Sequence, residues 1–402
     1  MSWLGALGAP AVAAALAFAV AAAGLCTAGT AARRRDLAEA GVRAVHATFA
    51  ATALAAAALL AALVARDFSF EYVAAYTSRS LPLPYTVAAL WGGMEGSLLF
   101  WTLLLTGFSA LALRTARARS SRYVAWAGAV LAGVAAFFLL LLLVPASPFT
   151  RLATVPADGS GLNPLLQSPG MVAHPPLLYT GFVGFSIPFA FALAALLSGH
   201  LDDAWFVQTR RWTLFAWSAL SIGIVLGGAW AYTELGWGGY WAWDPVENAA
   251  FMPLLAGTPF LHSAMLQERR GMFKVWNVFL MCLTFMMTIF GTFLTRSGMI
   301  ASVHSFARSS IGEYFVVYMV IMAIACAALI VWRLPLLRAE HRIDSLLSRD
   351  FVFLLNNWIL MGMLFFVLVA TTWPLISEAL RDQTVTVGPG FYNKWMVPLG
   401  LV

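Results

Sequence analysis

Windows of about 20 mostly apolar residues, the length a bilayer core requires of a helix, recur along the whole chain. Ten complete spans are read at approximately 9–32, 44–65, 86–113, 123–145, 176–198, 213–231, 249–266, 274–295, 313–333 and 352–375. An eleventh opens at Trp395-Met396-Val397-Pro398-Leu399 and runs into Val402. The first run follows almost no basic segment and lacks a polar cleavage segment, so it reads as a retained helix rather than a signal peptide. The expected fold class is all-α: a polytopic integral membrane helical bundle, taken as one transmembrane domain over residues 1–402.

Composition sharpens this. The hydrophobic set makes up 61% of the 402 residues, charged residues only 10%, and mean hydropathy is +0.82. A soluble domain is about a quarter charged, so a soluble enzyme is excluded. The three cysteines, Cys26, Cys282 and Cys326, lie inside apolar runs without a C-x-x-C pair. They supply neither a disulfide framework nor a thiol relay.

Net charge is +6 and the pI is near 9.5, but its distribution follows loop parity. Cytoplasmic loops collect Lys and Arg. The loops after the first, third, fifth, seventh and ninth spans hold 17 of the 24 basic residues, including Arg33, Arg34, Arg35, Arg114, Arg210, Arg269 and Arg333. Those loops are assigned to the cytoplasm and the N-terminus to the outside. The basic pI therefore reports membrane orientation and implies no nucleic-acid partner.

The outward loops carry the unusual chemistry. His174 lies in M-V-A-H-P-P-L-L-Y before the fifth span, where two prolines predict an extended, rigidly aimed residue. His304 follows the eighth span, on the same side by the charge count. Between them, residues 230–248 hold Trp230, Tyr232, Trp237, Tyr240, Trp241 and Trp243, with glycines and the carboxylates Asp244 and Glu247. Asp244-Pro245 is a good N-cap and first-position pair. An interfacial aromatic belt explains the tryptophans as well. A broad π surface flanked by two histidines on one side is also what a flat metallo-macrocycle with two axial positions requires, and haem fits.

His262 falls roughly 20 Å down the seventh span, in the inner half of the bilayer, with Ala256, Gly257 and Thr258 one turn before it. An ionisable group at that depth is either a hydrogen-bonded structural histidine or a buried axial ligand. Glu95 opens the third span as a proton-site or quinol-site carboxylate, or as a first-turn acid favoured by the dipole. Arg296, at the end of the eighth span, either forks onto a propionate or anchors the helix at the interface.

The segment W-G-G-Y-W-A-W-D-P-V-E at 237–247 resembles the tryptophan-rich WWD signature of haem-handling membrane proteins in cytochrome c biogenesis. W-G-G-M-E-G-S-L-L-F-W at 91–101, H-P-P-L-L-Y at 174–179, N-A-A-F-M-P-L-L-A-G-T-P-F-L-H-S at 248–263 and G-T-F-L-T-R-S-G at 291–298 narrow the resemblance to the CcmF family, the haem lyase component of cytochrome c maturation. It runs from about residue 85 to the end. Met94 departs from it, standing where the family typically has histidine.

The resemblance implies a transient haem held by the loop, with Trp237, Tyr240, Trp241, Trp243, Asp244, Pro245 and Glu247 around it, Arg296 near a propionate, and His174 and His304 as the outer axial pair. His262 corresponds to the first ligand of a stable intramembrane haem b. The second ligand is expected on a later helix beyond this chain's range, on a separate C-terminal fragment or a lost segment. The implied activity is that of a holocytochrome c synthase component in a bacterial-type plasma membrane, with the loop facing outward. Implied partners are a haem chaperone, apocytochrome c, a thiol-reducing maturation protein and membrane quinol. Alternatives are a haem exporter or haem-delivery protein of the same superfamily, or a non-catalytic scaffold.

Overall fold

A computed structural model describes residues 5–116, 121–199, 201, 204–236, 238–298, 311–337, 345 and 347–401. The chain forms two compact units, residues 1–198 and 199–402. The first contains α1 (Gly8–Ala31), α2 (Arg35–Ala65), the short α3 (Glu71–Tyr76), α4 (Leu83–Gly92), α5 (Met94–Thr115), α6 (Ser121–Leu143), α7 (Pro169–Gly184) and α8 (Ser186–Ser198). The second contains α9 (Ala204–Glu234), α10 (Pro245–Arg270), α11 (Lys274–Ser297), α12 (Ile311–Arg333), α13 (Arg349–Arg381) and α14 (Pro389–Leu401). Among the described residues there is no strand beyond one bridge, Phe70 with Arg151, and ten helical segments are long and apolar enough to cross a membrane. The protein is a multi-pass helical membrane protein.

Most helices overrun the apolar windows by a turn or more, because polar end residues stay helical outside the hydrocarbon. Thus α2 starts at Arg35 with Asp36 in its first turn, and α10 continues to Arg269 and Arg270. The final helix starts at Pro389, six residues before the expected opening at Trp395.

Two expectations change. The third span is interrupted: Gly93 is extended (φ −122°, ψ 172°) between α4 and α5. Tyr72 of α3 bridges the gap, donating to the Ala89 carbonyl at 2.7 Å and accepting from the Gly93 amide at 3.0 Å. Burial pushes its phenol well above the ordinary value, so it stays protonated as that donor. A Cβ at Gly96 would lie 2.2 Å from the Tyr72 hydroxyl and 2.4 Å from the Leu90 carbonyl, so α5 can start there only with glycine. The dip at the break, W-G-G-M-E-G-S over 91–97, is short and flanked by strongly apolar runs, so a window of about 20 residues reads through it.

The fifth span begins at Pro169 rather than 176, and His174 is helical rather than extended. Ser168 caps α7 by accepting from the Met171 amide, and Pro169 occupies the first position. Pro175 has no amide to donate to the Met171 carbonyl. That carbonyl instead accepts from Trp91 Nε1 at 3.1 Å. A side chain supplies the missing donor, and the helix runs through both prolines.

In the second unit, α10 and α13 run antiparallel. Arg270 pairs with the buried Asp350 at one end, and Asn248 donates to Thr371 at 3.0 Å near the other. Asp350 lies in the first turn of α13 and Arg270 in the last turn of α10, each complementing its helix dipole. A buried polar knot of Ser263, Gln267 and Asn277 joins α10 to α11, with Asn277 donating to Gln267 at 2.8 Å. The buried Cys282 and Cys326 thiols come close to each other across α11 and α12, a proximity that sequence spacing does not reveal.

Candidate functional site

The aromatic loop runs from the end of α9 to the start of α10. Gly228 on α9 lets it fold back: a Cβ there would meet the Tyr240 carbonyl at 2.8 Å. At its far end Asp244 and Glu247 form a capping box with Pro245 in the first helical position. Asp244 accepts from the Val246 amide at 3.0 Å, and one Glu247 oxygen accepts from the amides of Ala242 and Asp244 at 2.9 and 3.0 Å. Both carboxylates thus have a local task in shaping the loop. Glu247→Ala removes two accepted bonds and is expected to cost about 1 kcal/mol, as cap losses do. Faster hydrogen exchange at the Ala242 and Asp244 amides checks this.

The three described loop aromatics differ. Tyr240 is 62% exposed and stacks on Tyr232, itself 51% exposed, with centroids 4.5 Å apart at 10°. Trp241 meets Trp243 edge-on at 5.8 Å and Phe251 at 5.9 Å, and its Nε1 is buried with no hydrogen-bond partner among the described residues. Trp243 is tied down. It sits in the left-handed region (φ 57°) and its carbonyl accepts from Asn248 at 3.0 Å. Its Nε1 donates to Asn393 at 2.7 Å, and its ring stacks on Tyr392 at 4.9 Å and 7°. One face of the Trp243 indole is thereby covered by protein, so among the described residues the aromatic surface not tied to α14 lies at Tyr232, Tyr240 and Trp241. Trp237 and His304 lie outside the described residues.

Of the remaining candidates, His174 is half-buried on α7 in the first unit, and Arg296 is 3% exposed near the end of α11. That burial removes the reading of Arg296 as an interface anchor. His262 sits 17 residues after Pro245 on α10, about 25 Å along the axis, facing Phe353 of α13 with ring centroids 5.9 Å apart. Its Nδ1 is buried without a hydrogen-bond partner among the described residues. The structural reading, a histidine satisfied by a neighbouring helix, lacks a hydrogen bond at Nδ1 among the described residues. With Nδ1 turned into the protein, an axial bond would be made through Nε2, the other ring nitrogen. The turn before it is less open than expected: Ala256 is buried and Thr258 accepts from Trp217 at 3.0 Å.

Sequence reasoning missed Asn248, Thr371, Tyr392 and Asn393. Asn248 was visible as a polar residue in the first turn of a membrane helix; the others carried no spacing signal because they meet the loop only through folding.

A family described as "Cytochrome C assembly protein" matches residues 91–301. The chain is similar to the protein named cytochrome c-type biogenesis protein CcmF of Pseudomonas aeruginosa, 44% identical over 353 residues, covering 87% of this chain and 54% of that one. It is equally similar to the protein of that name from Escherichia coli K12, 44% identical over 351 residues, covering 86% and 54%. A solved structure titled "Cytochrome c Heme Lyase CcmF" superposes with a TM-score of 0.82 at 35% identity, covering all of this chain and 60% of that one. The chain spans about half the length of the relatives it matches.

Proposed function

Since this chain belongs to the cytochrome c assembly protein family, and within it to the CcmF group, we propose that it binds haem at the 230–248 loop and takes part in its covalent attachment to apocytochrome c. The observation that carries the reading is the unshared aromatic surface of the loop: the exposed Tyr232–Tyr240 stack beside Trp241, whose indole N–H has no protein acceptor among the described residues. Such a surface covers a porphyrin face, and a buried N–H donates to a carboxylate such as a propionate.

In this reading haem is a substrate. His174 and His304 bracket its iron, and Arg296 and Trp241 direct donors toward its propionates. Two apocytochrome thiols add across the two vinyl groups: each forms a C–S bond, and the thiol proton ends on the adjacent carbon, with no net oxidation. The protein's contribution is to hold the porphyrin edge near the incoming peptide and to exclude water, which makes the addition effectively intramolecular. A haem chaperone, a partner that keeps the thiols reduced and membrane quinol complete the proposed apparatus, in a bacterial-type plasma membrane with the loop outward.

His262 would hold a resident haem b, whose chemistry is one-electron transfer that keeps the substrate iron ferrous.

The test is holocytochrome c formation in cells carrying the remaining maturation apparatus. His174→Ala and His304→Ala should each lower haem-stained cytochrome c at least about tenfold, the scale of losing a metal-site ligand, with chain levels in the membrane unchanged. Undiminished holocytochrome c in both strains overturns the reading and leaves a scaffold.

A further inference from the structure

Trp243 makes three independent attachments, and two of them end on α14. Its indole N–H donates to Asn393 at 2.7 Å, and its ring lies flat on Tyr392. The third runs through the backbone: Asn248 donates both to the Trp243 carbonyl and to Thr371 of α13, each at 3.0 Å. Thr371 in turn lies 3.3 Å from the Tyr392 hydroxyl. These contacts close a ring from Trp243 through Asn248, Thr371 and Tyr392 back to Trp243. Tyr392 is buried, as is Met396 one turn on, although its neighbours Phe391 and Asn393 are exposed, so this face of α14 is turned inward and Tyr392 meets the loop.

The ring holds Trp243 in a conformation that a large side chain disfavours by itself, φ 57°. Backbone strain of this kind persists only where the surroundings over-determine it. Trp241 depends on the result, since its indole packs edge-on against Trp243 and both touch Phe251. Thr371, Tyr392 and Asn393 all lie beyond the stretch matched by the family, 91–301.

We propose that Thr371, Tyr392 and Asn393 are positioning residues of the haem-holding loop: they clamp Trp243 so that Trp241 and the Tyr232–Tyr240 stack are presented to the ligand. The proposal rests on the haem reading above. It assigns Trp243 to the protein and Trp241 to the ligand, and it extends the site into the last two helices.

The test uses the full chain in nanodiscs, with two readouts: hydrogen exchange at the amides of Trp241–Asp244, and ferric haem binding by absorbance titration. Asn393→Ala and Tyr392→Ala should speed exchange and weaken haem binding by about tenfold each, the scale of losing one aromatic stack or one buried hydrogen bond. Tyr392→Phe keeps the stack and should stay within about threefold of the parent in both, a rescue that general unfolding would not give. If haem binds and neither alanine variant moves exchange or affinity, the positioning role is overturned while the haem reading stands. If exchange responds but the parent protein takes up no haem that Trp241→Ala removes, the clamp survives and the haem reading falls.

Discussion

If His262 holds the proposed b-type haem, replacing it with leucine is expected to abolish that haem's spectrum and, in the same protein, to raise the stability of the haem-free chain. The two effects have one cause. His262 Nδ1 is buried with no protein partner among the described residues, so the apo-protein carries an unsatisfied polar group at the α10–α13 contact. Such a group costs about 1–3 kcal/mol, and an apolar side chain of similar volume beside Phe353 relieves it. A stabilising substitution at a functional position is the usual signature of a site kept for binding rather than for folding. The reduced-minus-oxidised spectrum of the purified protein should then lose the whole b-type signal. The melting temperature of the haem-free protein, followed by intrinsic fluorescence, should stay level or rise. A His262→Leu protein that keeps the b-type spectrum removes the ligand assignment, and one that melts lower without haem shows a structural histidine instead.

The second large effect lies far from any ligand. Gly96→Val is expected to destabilise the first unit by about 3 kcal/mol, the upper end of overpacking costs. The new Cβ would fall 2.2 Å from the Tyr72 hydroxyl and 2.4 Å from the Leu90 carbonyl. One obstacle is backbone and the other is a phenol fixed by two hydrogen bonds, so neither yields without opening the junction of α4 and α5. Tyr72→Phe separates the contributions: it removes the nearest atom but leaves the Ala89 carbonyl and Gly93 amide without their bridge, and should itself cost about 1–3 kcal/mol. Thermal melts of the two single variants and the double variant check both values. Wild-type stability in Gly96→Val would mean that the helix break is not held at this point.

What the sequence made legible follows from how the signals arise. A membrane span is a local property, about 20 apolar residues in a row, and all ten described crossings coincide with windows visible in the chain. The capping box at Asp244-Pro245-Val246-Glu247 is equally local and equally readable. Features that depend on a distant partner were not. The break at Gly93 is stabilised by Tyr72, and the continuity of α7 through Pro175 by Trp91. Both partners lie elsewhere in the chain, so local rules predicted a continuous helix in the first case and an extended residue in the second. The clamp on Trp243 belongs to the same class, since Tyr392 and Asn393 reach the loop only once α13 and α14 have packed. The close approach of Cys282 and Cys326 is another product of helix packing.

The helix that carries His174 has two successive prolines directly after it, at positions where a regular helix would have amide donors. Of the two carbonyls left over, that of Met171 is taken by Trp91. The first turns of α7 are therefore joined to the rest by fewer main-chain links than an ordinary helix of that length, and they hang partly on an indole from α4. Such a joint can flex within the membrane without unwinding. His174, mounted on the near side of that joint, can shift its imidazole while the remainder of the rod stays in place, the freedom that the proposed role of an exchangeable ligand would use.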